Sequence, residues 1–360
     1  MCGYSLMRKY LILAPGEFAD NAKTAHGVIR YSSDTTVAVI DQSLAGKSVR
    51  EVLPHLHCDA PIVTDVRSGL AYGPTALLIG TAPKGGALPA SWRAQVLEAI
   101  AAGLEIVSGL HDILNDDPEF AAAARERAVS IWDVRIPPAV PLFSGQAYAL
   151  EPTVLLTVGS NCNVGKMTVS LELAAAASRR GRAATFVPTG QTGIMIAGWG
   201  IAIDRVIADF GPGAAEQLVL EGAAKGSSLL IVEGQGGINH PAYAPVTLSL
   251  LYGTAPDALL LVVNPKERAI DPYDTPILGY RELIRTYEAL CATVKPASVV
   301  GIALNTYGLT DERARAEIER AGAETKLPVD DVVRFGAVKL YDAIAPFLSK
   351  RQSLTLETIQ

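Results

Sequence analysis

Thr153-Val-Leu-Leu-Thr-Val-Gly-Ser-Asn-Cys-Asn-Val-Gly-Lys-Met-Thr168 decides the class of the second half of this chain. An apolar run over 154–158 enters a polar loop that closes on Gly165-Lys166, and a helix-compatible run follows over 167–179. Strand, turn and helix in that order aim backbone N–H groups and the positive end of a helix at one spot, which makes an anion site. Lys166 adds a mobile positive charge suited to a phosphate. The residues expected to bind the phosphates of a cosubstrate are therefore Asn161, Cys162, Asn163, Val164, Gly165, Lys166, Met167 and Thr168. Two positions depart from the usual phosphate loop: Ser160 stands where its first glycine would be, and Met167 replaces the magnesium-holding Ser or Thr. Thr168 supplies that hydroxyl only if the helix starts slightly differently. Cys162, beside the expected helix N-terminus, reads as a non-catalytic thiol, since no histidine lies near it in sequence.

On both sides of this stretch, short runs rich in Val, Ile and Leu alternate with helical segments. Strands are expected over 10–14, 36–41, 76–80, 105–108 and 131–134, with helices over 91–102 and 118–128. After the phosphate loop, strands are expected over 184–187, 229–232, 258–263 and 299–304, with a short one over 332–335. Helices are expected over 201–210, 245–251, 278–292 and 311–324, and a last one closes the chain. Uninterrupted apolar strands between helices indicate parallel sheets covered on both faces. Between 136 and 152 the rhythm breaks at Pro137, Pro138, Pro141, Gly145 and Pro152, which reads as a linker. The expected class is α/β in two domains, residues 1–145 and 146–360. Strand order is not readable.

Composition narrows the function classes. The chain has 360 residues, 49% hydrophobic and 19% charged, which excludes a disordered or fibrous protein and suits two domains. Its net charge is −6 and it has no long basic run, so no nucleic-acid partner is expected. No apolar run approaches the roughly 18 residues of a membrane helix, so no membrane partner is expected either. Cys2, Cys58, Cys162 and Cys291 are scattered without metal-ligand spacing, which points to a cytoplasmic chain with no resident metal. Arg8 and Lys9 before the apolar run 10–14 read as the entry to a buried strand rather than a secretion signal, and Met7 is a candidate start.

Two further segments follow strand ends, where ligands of open α/β sheets lie. Residues 188–200 hold four glycines and read as a ligand-cradling loop with Gly190, Gln191, Thr192 and Gly193 against the cosubstrate. Residues 231–243 place Glu233 after an apolar strand, followed by glycines and then His240 and Tyr243. Glu233 suits a general base or a holder of metal-bound water, and His240 is the second candidate. Asp204-Arg205 offer a carboxylate and a cation one turn into the next expected helix. In the first domain, Lys84 and His111 lie in strand-end loops, and no G-x-G-x-x-G dinucleotide fingerprint occurs.

Taken together, Ser108-Gly-Leu-His111, Asn163-Val-Gly-Lys-Met-Thr168, Thr189-Gly-Gln-Thr-Gly193 with Asp204-Arg205, and Val232-Glu-Gly-Gln-Gly236 with His240-Pro-Ala-Tyr243 resemble the DUF1611 family over almost the whole chain. The resemblance implies a Rossmann-like N-terminal domain and a C-terminal phosphate-loop domain similar to dethiobiotin synthetase. One family member is a D-glutamate N-acetyltransferase using acetyl-CoA, so the resemblance implies transfer of an acetyl group from acetyl-CoA to a small amino acid such as D-glutamate. In that reading Lys166 and the backbone of 161–168 grip the phosphates of acetyl-CoA. Glu233, Asp204 or His240 serves catalysis by taking the amine proton, and backbone N–H groups hold the oxyanion. Arg205, Tyr243 and His111 are the expected substrate contacts, with Lys84 and Arg268 as further cations for a dicarboxylate. The expected partners are the amino-acid substrate and other copies of this chain. An ATP- and magnesium-dependent ligase or kinase, with Thr168 and Glu233 on the metal, is the alternative. A nucleotide-binding protein without turnover is the third.

Overall fold

The computed structural model describes residues 8–32, 35–81 and 86–357, with side chains as far as 348. Met7 and Lys84 lie outside the described residues. The first half runs β1 (Tyr10–Leu13), α1 (Lys23–Tyr31), β2 (Thr36–Ile40), α2 (Val49–Val52), β3 (Ile62–Val63), α3 (Val66–Gly69), β4 (Ala76–Ile79), α4 (Arg93–Ala101), β5 (Glu105–Ser108), α5 (Pro118–Arg127) and β6 (Ile131–Asp133). Its six strands are parallel in the order β3-β2-β1-β4-β5-β6, the Rossmann order. Strand β3 escapes a sequence reading because only two residues pair. Helix α1 escapes because Gly27 sits in its middle and no side chain caps its start.

The second half runs β7 (Thr153–Gly159), α6 (Lys166–Arg179), β8 (Ala184–Val187), α7 (Gln191–Ala197), α8 (Gly211–Ala224), β9 (Leu229–Val232), α9 (Ala244–Gly253), β10 (Ala258–Val263), the hairpin β11 (Ala269–Ile270) and β12 (Thr275–Pro276), α10 (Tyr280–Ala292), β13 (Ser298–Leu304), α11 (Asp311–Thr325), β14 (Val329–Asp330) and α12 (Val338–Glu357). The large sheet is parallel, in the order β14-β13-β10-β7-β9-β8. Strand β7 is buried along its whole length. Successive side chains of a strand face opposite ways, so Val154, Leu156 and Val158 enter one hydrophobic cluster and Leu155 the other. That double covering is why the strand reads as an unbroken apolar run.

Three expectations need correction. The helix placed over 201–210 is two single turns, Ile203–Arg205 and Ala208–Phe210, and the true helix α8 begins at Gly211. Gly211-Pro212-Gly213 looks like a break, yet proline is well suited to the first turn of a helix. The strand placed over 332–335 is a turn, and pairing occurs at β14 instead. The segment 188–200 is no open loop, because α7 occupies its centre.

The chain divides into two compact units: residues 1–136 with 191–198, and residues 137–190 with 199–360. Helix α7 thus leaves the second unit's sequence and is counted with the first, where Thr192 Oγ1 lies 3.2 Å from Thr24 Oγ1 of α1. The proline-rich stretch from Pro137 joins the second unit and is strapped to α8 by one carboxylate. Glu216 is 2% exposed and accepts the Ser144 N–H at 2.6 Å and the Ala147 N–H at 3.0 Å. Burial pushes its carboxyl up, but those N–H groups outweigh burial and hold it below its ordinary value. Glu216→Ala should lower the unfolding free energy by about 2 kcal/mol in a denaturant titration at neutral pH, since the buried Ala147 N–H and the part-buried Ser144 N–H lose their acceptor. A carboxyl held low in the fold stabilises above its unfolded range, so the difference from the parent should shrink as pH falls through the acid range.

Candidate functional site

Strand β7 delivers the chain into the phosphate loop, and Gly165, at φ 107°, turns it into α6. Only glycine adopts that conformation without strain. No side chain caps the start of α6, so its first-turn N–H groups face the loop without the usual Ser or Asp oxygen. Asn161 Oδ1 accepts the Cys162 N–H at 2.7 Å, and Asn161 Nδ2 donates to Glu267 at 3.0 Å. Asn305, beyond β13, donates to the Val164 carbonyl at 3.2 Å. Tyr287 of α10 donates to the Gly159 carbonyl at 2.7 Å and accepts the Ile238 N–H at 3.2 Å.

Lys166 is 6% exposed. Its ammonium donates to the Asn161 carbonyl at 2.8 Å and to the Gly236 carbonyl at 2.7 Å, joining the phosphate loop to the turn after β9. Burial pulls its pKa down to about 8, against the opposing charges of Cys162, Glu233 and Glu267. Glu233, at the end of β9, is 5% exposed. One carboxylate oxygen accepts the Thr189 N–H at 3.0 Å and the Gly190 N–H at 3.1 Å, and the Glu233 carbonyl accepts Thr189 Oγ1 at 2.6 Å. Burial raises its pKa to about 7 despite those N–H groups and the Lys166 charge. A carboxyl poised near neutrality in a strand-end crevice is suited to moving a proton.

The β7–β9 contact sets where Glu233 can stand. Thr157 Oγ1 accepts the Gly234 N–H at 2.9 Å and donates to the Val232 carbonyl at 3.2 Å. A Cβ on Gly234 would lie 1.7 Å from the Thr157 carbonyl oxygen, so no other residue fits there. Gln235 Nε2 donates to Thr189 Oγ1 at 3.1 Å.

His240 is 4% exposed, and its Nδ1 accepts the Ala242 and Tyr243 N–H groups at 3.1 and 3.2 Å. Burial and the Lys166 charge push its pKa down, so the ring is neutral with its proton on Nε2. It can donate a hydrogen bond from Nε2, and its other nitrogen is engaged as an acceptor. The Tyr243 ring is centred 4.5 Å from the His240 ring and is 51% exposed. Asp204 and Arg205 are exposed on a single turn rather than inside a helix. Within the second unit, the structure brings together Asn161 to Thr168, Gly190, Glu233 and His240. Gln191, Thr192 and Gly193 lie on α7 and His111 follows β5, all four in the first unit.

Sequence reading missed Thr157, Asn305, Glu267 and Tyr287. Thr157 acts on the turn after β9 and the other three on the phosphate loop, each far from its partner in sequence, and nothing in local spacing signals such a contact. The fit to a phosphate-bearing ligand rests on the uncapped start of α6, the buried Lys166 ammonium and Ser160, whose fully buried hydroxyl has no partner among the described residues. These donors suit an anion.

A family model described as a domain of unknown function, DUF1611_C P-loop domain, matches residues 141–341, and a DUF1611_N Rossmann-like domain model matches residues 42–137. A crystal structure of a DUF1611 family protein from Anabaena variabilis superposes with a TM-score of 0.89 at 40% identity, covering 94% of this chain and 99% of that one. A protein from Tritonibacter scottomollicae named D-glutamate N-acetyltransferase is 37% identical over 279 residues, 76% of this chain and 82% of its own. A Pseudoalteromonas protein of the same name is 37% identical over 267 residues, 73% of this chain and 79% of its own. The chain belongs to the DUF1611 family, pairing its Rossmann-like and phosphate-loop domains, and it is an enzyme of the N-acetyltransferase kind. Among the described residues no helix is long and apolar enough to cross a membrane.

The raised Glu233 pKa has a measurable cost. Below the unfolded value of 4.5 the carboxyl is protonated in both states, and above about 7 it is ionised in both. Between them the folded state holds the proton more tightly, so stability falls as pH rises through that window. Glu233→Gln should remove this dependence. In urea titrations its stability relative to the parent should rise between pH 4.5 and pH 7, by up to about 3 kcal/mol.

Proposed function

We propose that this enzyme transfers the acetyl group of acetyl-CoA to the α-amine of D-glutamate or a closely similar acidic D-amino acid. The observation that carries the reading is a buried carboxyl of pKa about 7, Glu233, set beside the Lys166 phosphate cradle. The name shared by the two relatives supports the donor class and the acceptor. Met167, in the place of the magnesium-holding hydroxyl, favours a CoA diphosphate over magnesium-ATP.

In this mechanism Lys166 and the N–H groups from Asn161 to Thr168 hold the CoA diphosphate. An ammonium ion is no nucleophile, so Glu233 first takes a proton from the bound amine. The nitrogen lone pair then attacks the thioester carbonyl carbon, forming the C–N bond as the carbonyl electron pair moves to oxygen. Backbone N–H groups of the glycine turn and the His240 Nε2–H stabilise that oxyanion. Collapse re-forms the carbonyl and breaks the C–S bond, and the departing CoA thiolate takes up the second proton, which the nitrogen sheds as it becomes an amide. Glu233 is preferred over Asp204 as the base because Glu233 is buried beside Lys166, whereas Asp204 is exposed on its turn. Arg205 and the half-exposed Tyr243 are the side chains proposed for the acceptor's carboxylates.

Incubation with D-glutamate, acetyl-CoA and a thiol reagent should release free CoA without ATP or magnesium. Failure with any amine, together with ADP formation from magnesium-ATP and a carboxylate, would sink the reading. The profile of kcat/KM should fall about tenfold per pH unit below about 7, as Glu233 takes up its proton. Glu233→Gln should lower kcat by about 100-fold or more while acetyl-CoA still binds in calorimetry. Lys166→Ala should instead weaken acetyl-CoA binding by roughly 100-fold, having lost a charge-assisted contact in a buried setting.

A further inference from the structure

The exit of β10 and the start of α11 frame a groove of about 380 Å³ in the second unit. Lys266, Arg268, Arg313 and Arg320 line it, and Glu317 is the carboxylate on its wall. Four cations against one acid is a local reversal in a chain whose net charge is −6. Glu317 is already engaged: it pairs with Arg320 and accepts the Tyr280 hydroxyl at 3.1 Å. Lys266 donates to the Tyr307 carbonyl, beside the exposed Tyr307 ring. The Arg268 and Arg313 guanidinium groups make no ion pair or side-chain hydrogen bond among the described residues.

Both walls are tied to the phosphate loop. On the β10 side, Glu267 accepts Asn161 Nδ2 from the loop and Asn264 Nδ2, each at 3.0 Å. On the β13 side, Asn305 donates to the Val164 carbonyl at 3.2 Å. Glu267 stands between the lining residues Lys266 and Arg268, so one wall of the groove is tied directly to the phosphate loop. A ligand held by its diphosphate in the loop and carrying a further phosphate near its nucleoside has these cations as the counterpart beside the loop. Coenzyme A differs from ADP in carrying such a group, a ribose 3′-phosphate. Guanidinium forks match a tetrahedral dianion.

We propose that this groove seats the ribose 3′-phosphate of coenzyme A, with Arg268 and Arg313 as its principal contacts. The assignment rests on the reading that the phosphate loop takes acetyl-CoA, and it adds the feature that separates CoA from ATP or ADP.

The test compares acetyl-CoA with its 3′-dephospho analogue as donor in the thiol-release assay. The parent enzyme should show a KM about tenfold higher for the dephospho donor, equivalent to about 1.4 kcal/mol. In the Arg268→Ala/Arg313→Ala double variant, the KM for acetyl-CoA should rise to meet that for the dephospho donor, erasing the preference. Equal KM values in the parent, or a double variant that keeps the parent's preference, would overturn the groove assignment while leaving the acetyl-CoA reading intact. A rise in the KM for D-glutamate in place of the donor would also overturn it, giving the cations to the acceptor instead. Absence of thiol release from either donor with any amine would overturn both readings together.

Discussion

One ammonium group holds the second unit's ligand face together. Lys166 Nζ bonds a carbonyl of the phosphate loop at Asn161 and a carbonyl of the turn after β9 at Gly236. The two strand exits are thereby fixed to each other, and Glu233, at the head of that same turn, cannot move independently of the phosphate cradle. The contact is buried, so its charge is costly, and the lowering of the lysine pKa to about 8 is the measure of that cost. Carbonyl oxygens are weaker counterparts to an ammonium than a phosphate would be.

Most strands and several helices were legible because their signal is local. The run 154–158 is apolar at every step because β7 is covered on both faces, and Gly165-Lys166 marks the turn into α6. The strand order was not legible, since register and neighbours are properties of the whole sheet. The missed helix α8 shows a second limit: Gly211-Pro212-Gly213 has the composition of a break, but the packing of Ala214, Ala215, Leu218 and Val219 into the core overrides local propensity. Glycine density misled in a third way, for the segment 188–200 holds a helix whose Gly193 is buried. Within the candidate site, residues on strand-end loops could be named in advance. Thr157, Tyr287 and Asn305 could not, because each acts across the sheet on a loop far away in sequence.

The first unit shows how little the strand order says about chemistry. It has the Rossmann order, in which an acidic residue after the second strand commonly meets a dinucleotide's ribose. Asp41 stands there, fully buried, and its oxygens accept the Phe18 N–H at 3.2 Å, the Ser43 N–H at 2.9 Å and the Ser43 hydroxyl at 2.6 Å. The carboxylate ties the loop after β1 to the end of β2. A position that serves ligands in one protein has become an internal clasp in this one, so function must be argued from the site.

Glu233 and Lys166 illustrate the same point from the side of electrostatics. Burial moves their pKa values toward each other, to about 7 and about 8, and each charge partly restrains the other's shift. An incoming diphosphate changes that balance in a defined direction. Its negative charge favours the protonated lysine and also disfavours an ionised carboxylate nearby. The proton affinity of Glu233 should therefore be higher with an anion in the loop than without it, so its ionised range moves to higher pH. Charge at the phosphate loop and the proton affinity of Glu233 are therefore linked, and the lysine that bridges Asn161 and Gly236 is the group that lies between them.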